Sequence, residues 1–313
     1  MSAVELHLLR VGACRHLECM AARGGRWAPV DFPALCGLIR HPQRGWMLYD
    51  TGYADHFFRA TDPWPERLYR ATLPVELPQD EILETQLAGF GLTTADIGTV
   101  IVSHYHGDHI AGLRDFPNAR FIALRADTER FAALAGKHWR ATLGGHLPGL
   151  LPDGYFDRVD AADAAPKRDL PDWLQPFSAG HDLLGDGSLI GVPLPGHSHG
   201  QLGLFIPDAG GRPAFLVADA CWSLPALRDG RLPAFPALLV NAERRRYVDT
   251  FRGLTGIARR ETAVALLPSH CTVAWREFTP PLSRAAAHPS PPGGGAGGEG
   301  MFTPDPDQTR HAP

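Results

Sequence analysis

The chain has 313 residues, 44% of them hydrophobic and 20% charged, with a net charge of −4. That is enough apolar material for a sizeable core, and the acidic balance argues against nucleic acid as a partner, because phosphate binding needs a basic face. No stretch approaches the ~18 apolar residues of a membrane span, and Met1–Arg10 lacks the apolar core of a signal peptide, so no membrane partner and a cytoplasmic location are expected.

Val4, Leu6 and Leu8 alternate with Glu5 and His7, which predicts a strand over 4–11. Two more strands, 32–40 and 46–49, flank the turn His41-Pro42-Gln43-Arg44-Gly45. Ala54–Leu73 is rich in aromatics and prolines (Phe57, Phe58, Pro63, Trp64, Pro65, Tyr69) and reads as an irregular lid or binding segment, with several of those aromatics facing a substrate. A helix over 81–90 is stopped by Gly91. The run Thr99-Val100-Ile101-Val102-Ser103 is a buried strand, followed by a helix over 110–116, a strand over 120–124 and a helix over 126–135. Residues 136–180, punctuated by Gly144-Gly145, Pro148, Pro152, Pro166, Pro171 and Pro176, read as an insertion of loops that shapes access to a site. Strands over 187–192, 202–206, 215–218 and 263–267 follow, with a long helix over 243–260 before the last. Arg244-Arg245-Arg246 on that helix reads as a solvated face. Cys14, Cys19, Cys36, Cys221 and Cys271 are odd in number and lack C-x-x-C spacing, so they read as reduced thiols. Ser283–Pro313, with Gly293-Gly294-Gly295-Ala296-Gly297-Gly298 and scattered prolines, cannot bury enough apolar surface to offset its ordering entropy. It reads as a disordered tail, which leaves one catalytic domain over 1–282. Alternating strand and helix runs support an α/β layered architecture.

The chemistry is concentrated where the strand at 99–103 ends, in His104-Tyr105-His106-Gly107-Asp108-His109. Imidazole and carboxylate are the common ligands of zinc and similar ions. His104 and His106, two residues apart, project to one side of an extended segment, and Asp108 and His109 are displaced towards a neighbouring position.

Ser103-His104-Tyr105-His106-Gly107-Asp108-His109 resembles the signature of the metallo-β-lactamase superfamily of hydrolases. Leu194-Pro195-Gly196-His197-Ser198-His199-Gly200 resembles the family's strand-end loop with the third histidine. Phe215-Leu216-Val217-Ala218-Asp219 resembles the strand ending in its bridging aspartate, Leu266-Leu267-Pro268-Ser269-His270 the strand ending in its last histidine, and Met47-Leu48-Tyr49-Asp50-Thr51-Gly52 its early strand and turn. The resemblance covers about residues 4–280 and implies a four-layer αββα sandwich with the metal site at one edge. It implies that His104, His106 and His197 bind one divalent ion, that Asp108, His109 and His270 bind a second, and that Asp219 bridges them together with a shared water or hydroxide. Zinc is the simplest metal. Two cations about 3.5–4 Å apart acidify such a water and polarise a carbonyl or phosphoryl oxygen. Because these ligands must converge, no domain boundary falls between His104 and His270. Asp50 is expected to orient a ligating imidazole. His199 is expected to be structural, and His138, His146 and His181 to be loop residues.

The pattern is most similar to the N-acyl-homoserine lactonase branch, which implies opening of a lactone or cleavage of a related ester. His106 disfavours the di-iron flavoprotein branch, and Asp108 disfavours the zinc β-lactamases with a different second site. One residue departs from the branch: its members carry a substrate-binding tyrosine three residues after the bridging aspartate, where this chain has Trp222. Asp108 and Trp222 are therefore candidate catalytic groups, and Tyr53 or Tyr105 is a candidate replacement for the missing phenol. A glyoxalase II-like thioesterase is the alternative and would need a cationic site, for which the 136–180 segment offers Lys137, Arg140, Lys167 and Arg168. Organophosphate hydrolysis by the same centre is a third reading. A non-catalytic metal-binding protein is disfavoured because every ligand position is filled. The implied partners are a small-molecule ester, lactone or thioester and a second copy of the chain in a homodimer. Ending the chain after Arg284 is expected to leave melting temperature and activity unchanged; a large loss of either, by calorimetry or assay, would show that the tail docks on the domain.

Overall fold

The computed structural model describes residues 4–261 and 263–279; the Gly/Pro-rich tail over 283–313 lies outside them. Seven strands form the first sheet: β1 Glu5–Leu17, β2 Pro29–His41, β3 Gly45–Tyr49, β4 Val75–Glu76, β5 Ile97–Ile101, β6 Arg120–Ala123 and β7 Val159–Ala161, in the order β4-β1-β2-β3-β5-β6-β7. Six form the second: β8 Lys167–Asp169, β9 Ala179–Asp182, β10 Ile190–Pro193, β11 Leu202–Ile206, β12 Ala214–Ala218 and β13 Ala265–Pro268, in the order β13-β12-β11-β10-β9-β8.

Period-two alternation divides the first sheet's side chains between two cores. Met47, Tyr49, Ile39 and Ile101 point towards the second sheet and pack with Leu204, Phe205, Phe215 and Leu216. Leu48, Leu38, Val100 and Val102 point the other way, beneath the helices that cover the outer face, with Phe57, Leu87 and Ile110. The second sheet is covered by the helix Arg244–Arg260, whose Phe251, Leu254 and Ile257 are buried against it. The layers are thus αββα, the architecture implied by the sequence.

Polar bonds tie the sheets together at one edge. The Tyr49 hydroxyl donates to the Leu202 carbonyl at 2.6 Å, the Leu202 N–H donates to the Ser103 carbonyl at 2.8 Å, and the Leu35 N–H donates to the Ser269 carbonyl at 2.9 Å. The chain ends of β3, β5, β10, β12 and β13 open onto that edge, and within one to four residues they lead to Asp50, His104, His197, Asp219 and His270.

Three sequence expectations change. The 136–180 segment is not a run of loops: it contains the helices His138–Leu143 and Tyr155–Arg158 and supplies β7 to the first sheet and β8 and the start of β9 to the second. These edge strands are three or four residues long and too short to show periodicity. The 54–73 segment is also ordered, with helices Asp55–Ala60 and Arg67–Thr72. Of its aromatics, Phe57 is core and Trp64 is 61% exposed. The helix expected over 110–116 instead runs Gly107–Ile110 and is followed by a tighter turn over Leu113–Asp115.

Gly196 precedes His197 with φ 135°. A Cβ there would lie 2.2 Å from the Tyr247 backbone nitrogen, on the helix that covers the second sheet. Gly196→Ala is therefore expected to destabilise the fold by at least about 1 kcal/mol, whereas Gly98→Ala, where a Cβ meets nothing within 4 Å, is expected to be close to neutral. Equal melting temperatures for the two variants would contradict this packing.

Candidate metal centre

His104, His106, Asp108, His109, His197, Asp219 and His270 are brought together at the shared edge. Three overlapping groups, His104/His106/His197, His104/His109/Asp219 and Asp108/His109/His270, each hold their donor atoms within 4.8 Å of one another. His106 Nδ1 lies 3.1 Å from His104 Nε2 and 2.9 Å from His197 Nε2. Nitrogens so spaced fit three ligands converging on one ion at ordinary zinc–nitrogen lengths of about 2.0–2.1 Å. On the other side, His270 Nε2 lies 3.3 Å from Asp108 Oδ2. Asp219 stands between: its Oδ2 is 3.3 Å from His197 Nε2 and 3.0 Å from His270 Nε2, and its Oδ1 is 3.3 Å from His109 Nε2. Both His109 Nε2 and Asp219 Oδ1 are sealed from solvent with no hydrogen-bond partner. Buried polar atoms without partners are costly, and a cation at their meeting point would satisfy both.

The other face of most of the ligands is held by the protein, which fixes ring orientation. His109 Nδ1 lies 2.8 Å from Asp50 Oδ2. The same oxygen accepts from Ser103 Oγ at 2.7 Å, and Ser103 Oγ is 3.0 Å from His104 Nδ1. Asp50 thus orients two ligands, one directly and one through a hydroxyl. His197 Nδ1 meets Asn241 Oδ1 at 2.9 Å, and His270 Nδ1 meets the Pro33 carbonyl at 2.7 Å. Asp50 and Ala218, at the ends of two site strands, hold positive φ of 60° and 46°, a strain that surrounding structure must sustain.

Electrostatics divide the cluster. Burial, reinforced by the neighbouring imidazoles, pulls the pKa of His104 and His106 well below the usual value, and burial lowers His197 as well. These three are therefore neutral, with lone pairs available to a metal. Burial acts the same way on His109 and His270, but the nearby carboxylates, Asp219 foremost, outweigh it and raise both. Burial opposes ionisation of Asp219, yet His270, His109 and His197 together hold its pKa well below the usual range. Anionic Asp219 and the lone pairs around it make a site suited to divalent cations.

A cavity of about 380 Å³ opens over the cluster. Its floor includes His106, Asp108, His197, Asp219, Trp222 and His270. Trp222 lines it, but its indole N–H donates to Asp219 Oδ2 at 2.9 Å and does not point at the cavity. It braces the Asp219 carboxylate. Neither candidate phenol reaches the cavity. Tyr105 is fully buried, its hydroxyl bonded to Thr128 Oγ1 at 2.8 Å and to the Tyr155 hydroxyl at 2.9 Å. Tyr53 is packed edge-on to Phe57 with its hydroxyl sealed in the outer core beside Cys14. The residue following a catalytic turn can face either layer, and both tyrosines face the core.

The model of the metallo-beta-lactamase superfamily matches residues 29–211. The chain belongs to that superfamily. N-acyl homoserine lactonase AttM of Azorhizobium caulinodans is 28% identical over 282 residues, 89% of this chain and 97% of that protein. The probable metallo-hydrolase Rv2300c of Mycobacterium tuberculosis is 29% identical over 222 residues, 69% of this chain and 64% of that protein. A variant of B. thuringiensis AiiA with N-decanoyl-L-homoserine bound at its active site shares the fold, with a TM-score of 0.61 and 17% identity over 89% of this chain and 98% of that one.

In this metallo-β-lactamase-fold hydrolase, several functional neighbours carry no sequence signal. Asn241 sits in an unremarked turn before the long helix. His146, expected as a loop residue, packs its ring 5.2 Å from His106. His199 Nδ1 lies 2.8 Å from Glu243 Oε1. Because Asn241 is the sole side chain bonded to His197 Nδ1 among the described residues, Asn241→Ala is expected to weaken metal binding by about 10–100-fold with little change in melting temperature of the metal-loaded protein. Competition with a chromophoric chelator measures this, and unchanged affinity would contradict the role.

Proposed function

We propose that the chain is a dinuclear zinc hydrolase that opens N-acyl-homoserine lactones or closely related esters. His104, His106 and His197 would hold one ion, Asp108, His109 and His270 the other, with Asp219 between the two groups. When bound, such ions would supply an acidified water and a Lewis acid for the ester carbonyl. Asp108, at the cavity floor and 3.3 Å from His270, would carry a proton from water to the leaving alkoxide on a carboxylate oxygen. Trp222 and Asn241 keep Asp219 and His197 in position.

The observation that carries the substrate assignment is the cavity wall. Met20, Phe32, Leu68, Leu73, Leu143 and Val240 line it, and no lysine or arginine is among the described lining residues. An acyl chain fits such a wall, and an anionic thiol conjugate finds no cation there. The basic residues that a thioesterase would require lie elsewhere: Arg168 pairs with Asp182 at 3.2 Å, and Lys137, Arg140 and Lys167 do not line the cavity. The likeness to the AttM lactonases over nearly their whole length supports the same reading. The five cysteines are all buried and unpaired, in keeping with a cytoplasmic enzyme, and no described helix is long and apolar enough to cross a membrane. A homodimer is retained as the expected assembly.

Assay of the zinc-loaded protein on acyl-homoserine lactones, a glutathione thioester, a phosphotriester and a β-lactam tests the assignment. Lactones are expected to have the highest kcat/KM, rising about two- to fourfold per added methylene while the chain remains on the apolar wall. Faster turnover of the thioester or phosphotriester would overturn it.

A further inference from the structure

Resting on the lactonase reading, one gap remains at the site. The phenol that related lactonases place after the bridging aspartate is replaced by Trp222, whose N–H is engaged by Asp219. Tyr53 and Tyr105 are turned into the core. One tyrosine does line the cavity among the described residues, and it comes from a different part of the chain: Tyr69, on the helix Arg67–Thr72.

Tyr69 is well held. Its ring packs edge-on against Phe57 at 5.5 Å. Phe57 in turn packs against Gly107, where a Cβ would lie 3.3 Å from its ring. This chain of contacts runs from the helix to the backbone of the metal motif, and Tyr69 lines the same cavity as Asp108. No side chain among the described residues hydrogen-bonds the Tyr69 hydroxyl, so its hydrogen is free to donate into the cavity that Tyr69 lines. Arg70, one residue on, fastens the helix by donating to Asp62 Oδ1 at 2.8 Å and to the Phe58 carbonyl at 3.2 Å.

We propose that Tyr69 is the catalytic hydrogen-bond donor of this enzyme, its O–H directed at the substrate's carbonyl oxygen as negative charge develops there. The proton stays on the phenol throughout, so the step is electrostatic stabilisation of an oxyanion, with no proton transfer to balance. Burial pushes the phenol's pKa well above its ordinary value, which keeps the donor protonated across the neutral range. The 54–73 segment thus carries a reacting group as well as apolar wall.

The test is Tyr69→Phe in the zinc-loaded enzyme, assayed on an acyl-homoserine lactone with metal content and melting temperature recorded. A fall in kcat of at least tenfold is expected, with KM moving less than threefold and metal retained. Fluorotyrosine at position 69 keeps the ring and hydroxyl and serves if the phenylalanine variant loses metal or folds poorly; kcat that changes with the acidity of the phenol supports the role, and kcat indifferent to it overturns the role. A wild-type enzyme with no lactonase activity overturns the reaction on which the proposal rests. Wild-type lactonase activity that Tyr69→Phe leaves within twofold overturns the proposal alone.

Discussion

The rest of the structure depends on crowding lone pairs at one buried edge. Five imidazoles and two carboxylates meet there, with donor atoms of different residues facing one another at 2.9–3.3 Å. In the absence of cations the neutral nitrogens of His104, His106 and His197 oppose each other, and His109 Nε2 and Asp219 Oδ1 have no hydrogen-bond partner. Cations reverse the sign of these interactions. Metal binding and stability are therefore linked in this protein, because an ion that binds the assembled cluster and not the unfolded chain stabilises the fold.

The two sheets supply the rigidity that holds ligands in this arrangement. Five strand ends deliver site residues to the same edge, and the bonds from Tyr49 to Leu202, Leu202 to Ser103 and Leu35 to Ser269 join the sheets beside them. The strained backbone of Asp50 and Ala218 lies at the same strand ends. Asp50 gives its carboxylate to Ser103 and His109 at once, so one buried charge sets two ligands. Much of the apolar wall above that floor comes from other elements: the helix Arg67–Thr72 contributes Leu68, and the helix His138–Leu143 contributes Leu143.

Much of this was legible in the sequence, for physical reasons. Met47-Leu48-Tyr49 and Thr99–Val102 alternate between two cores, and that alternation is what a sheet covered on both faces requires. The His-x-His-x-Asp-His run brings donor groups together by local geometry, so this part of the cluster could be anticipated without knowledge of what lies opposite. Partners brought together only by tertiary packing were not legible. Asn241 reaches His197 across 44 residues, and nothing in its neighbours marks it. The direction of a side chain was equally hidden: Tyr53, Tyr105 and Trp222 were each a plausible group facing the substrate, and packing turns two into the core and directs the third at Asp219. The strands β7 and β8 escaped because three-residue edge strands set among glycines and prolines have no period to read.

The central claim is that the seven-residue cluster is a two-ion centre. Elemental analysis of protein purified without chelator and reconstituted with zinc tests it most directly. The account predicts two equivalents per chain, falling towards one when Asp108 or His109 is replaced by alanine; fewer than one equivalent in the reconstituted wild-type protein would contradict it.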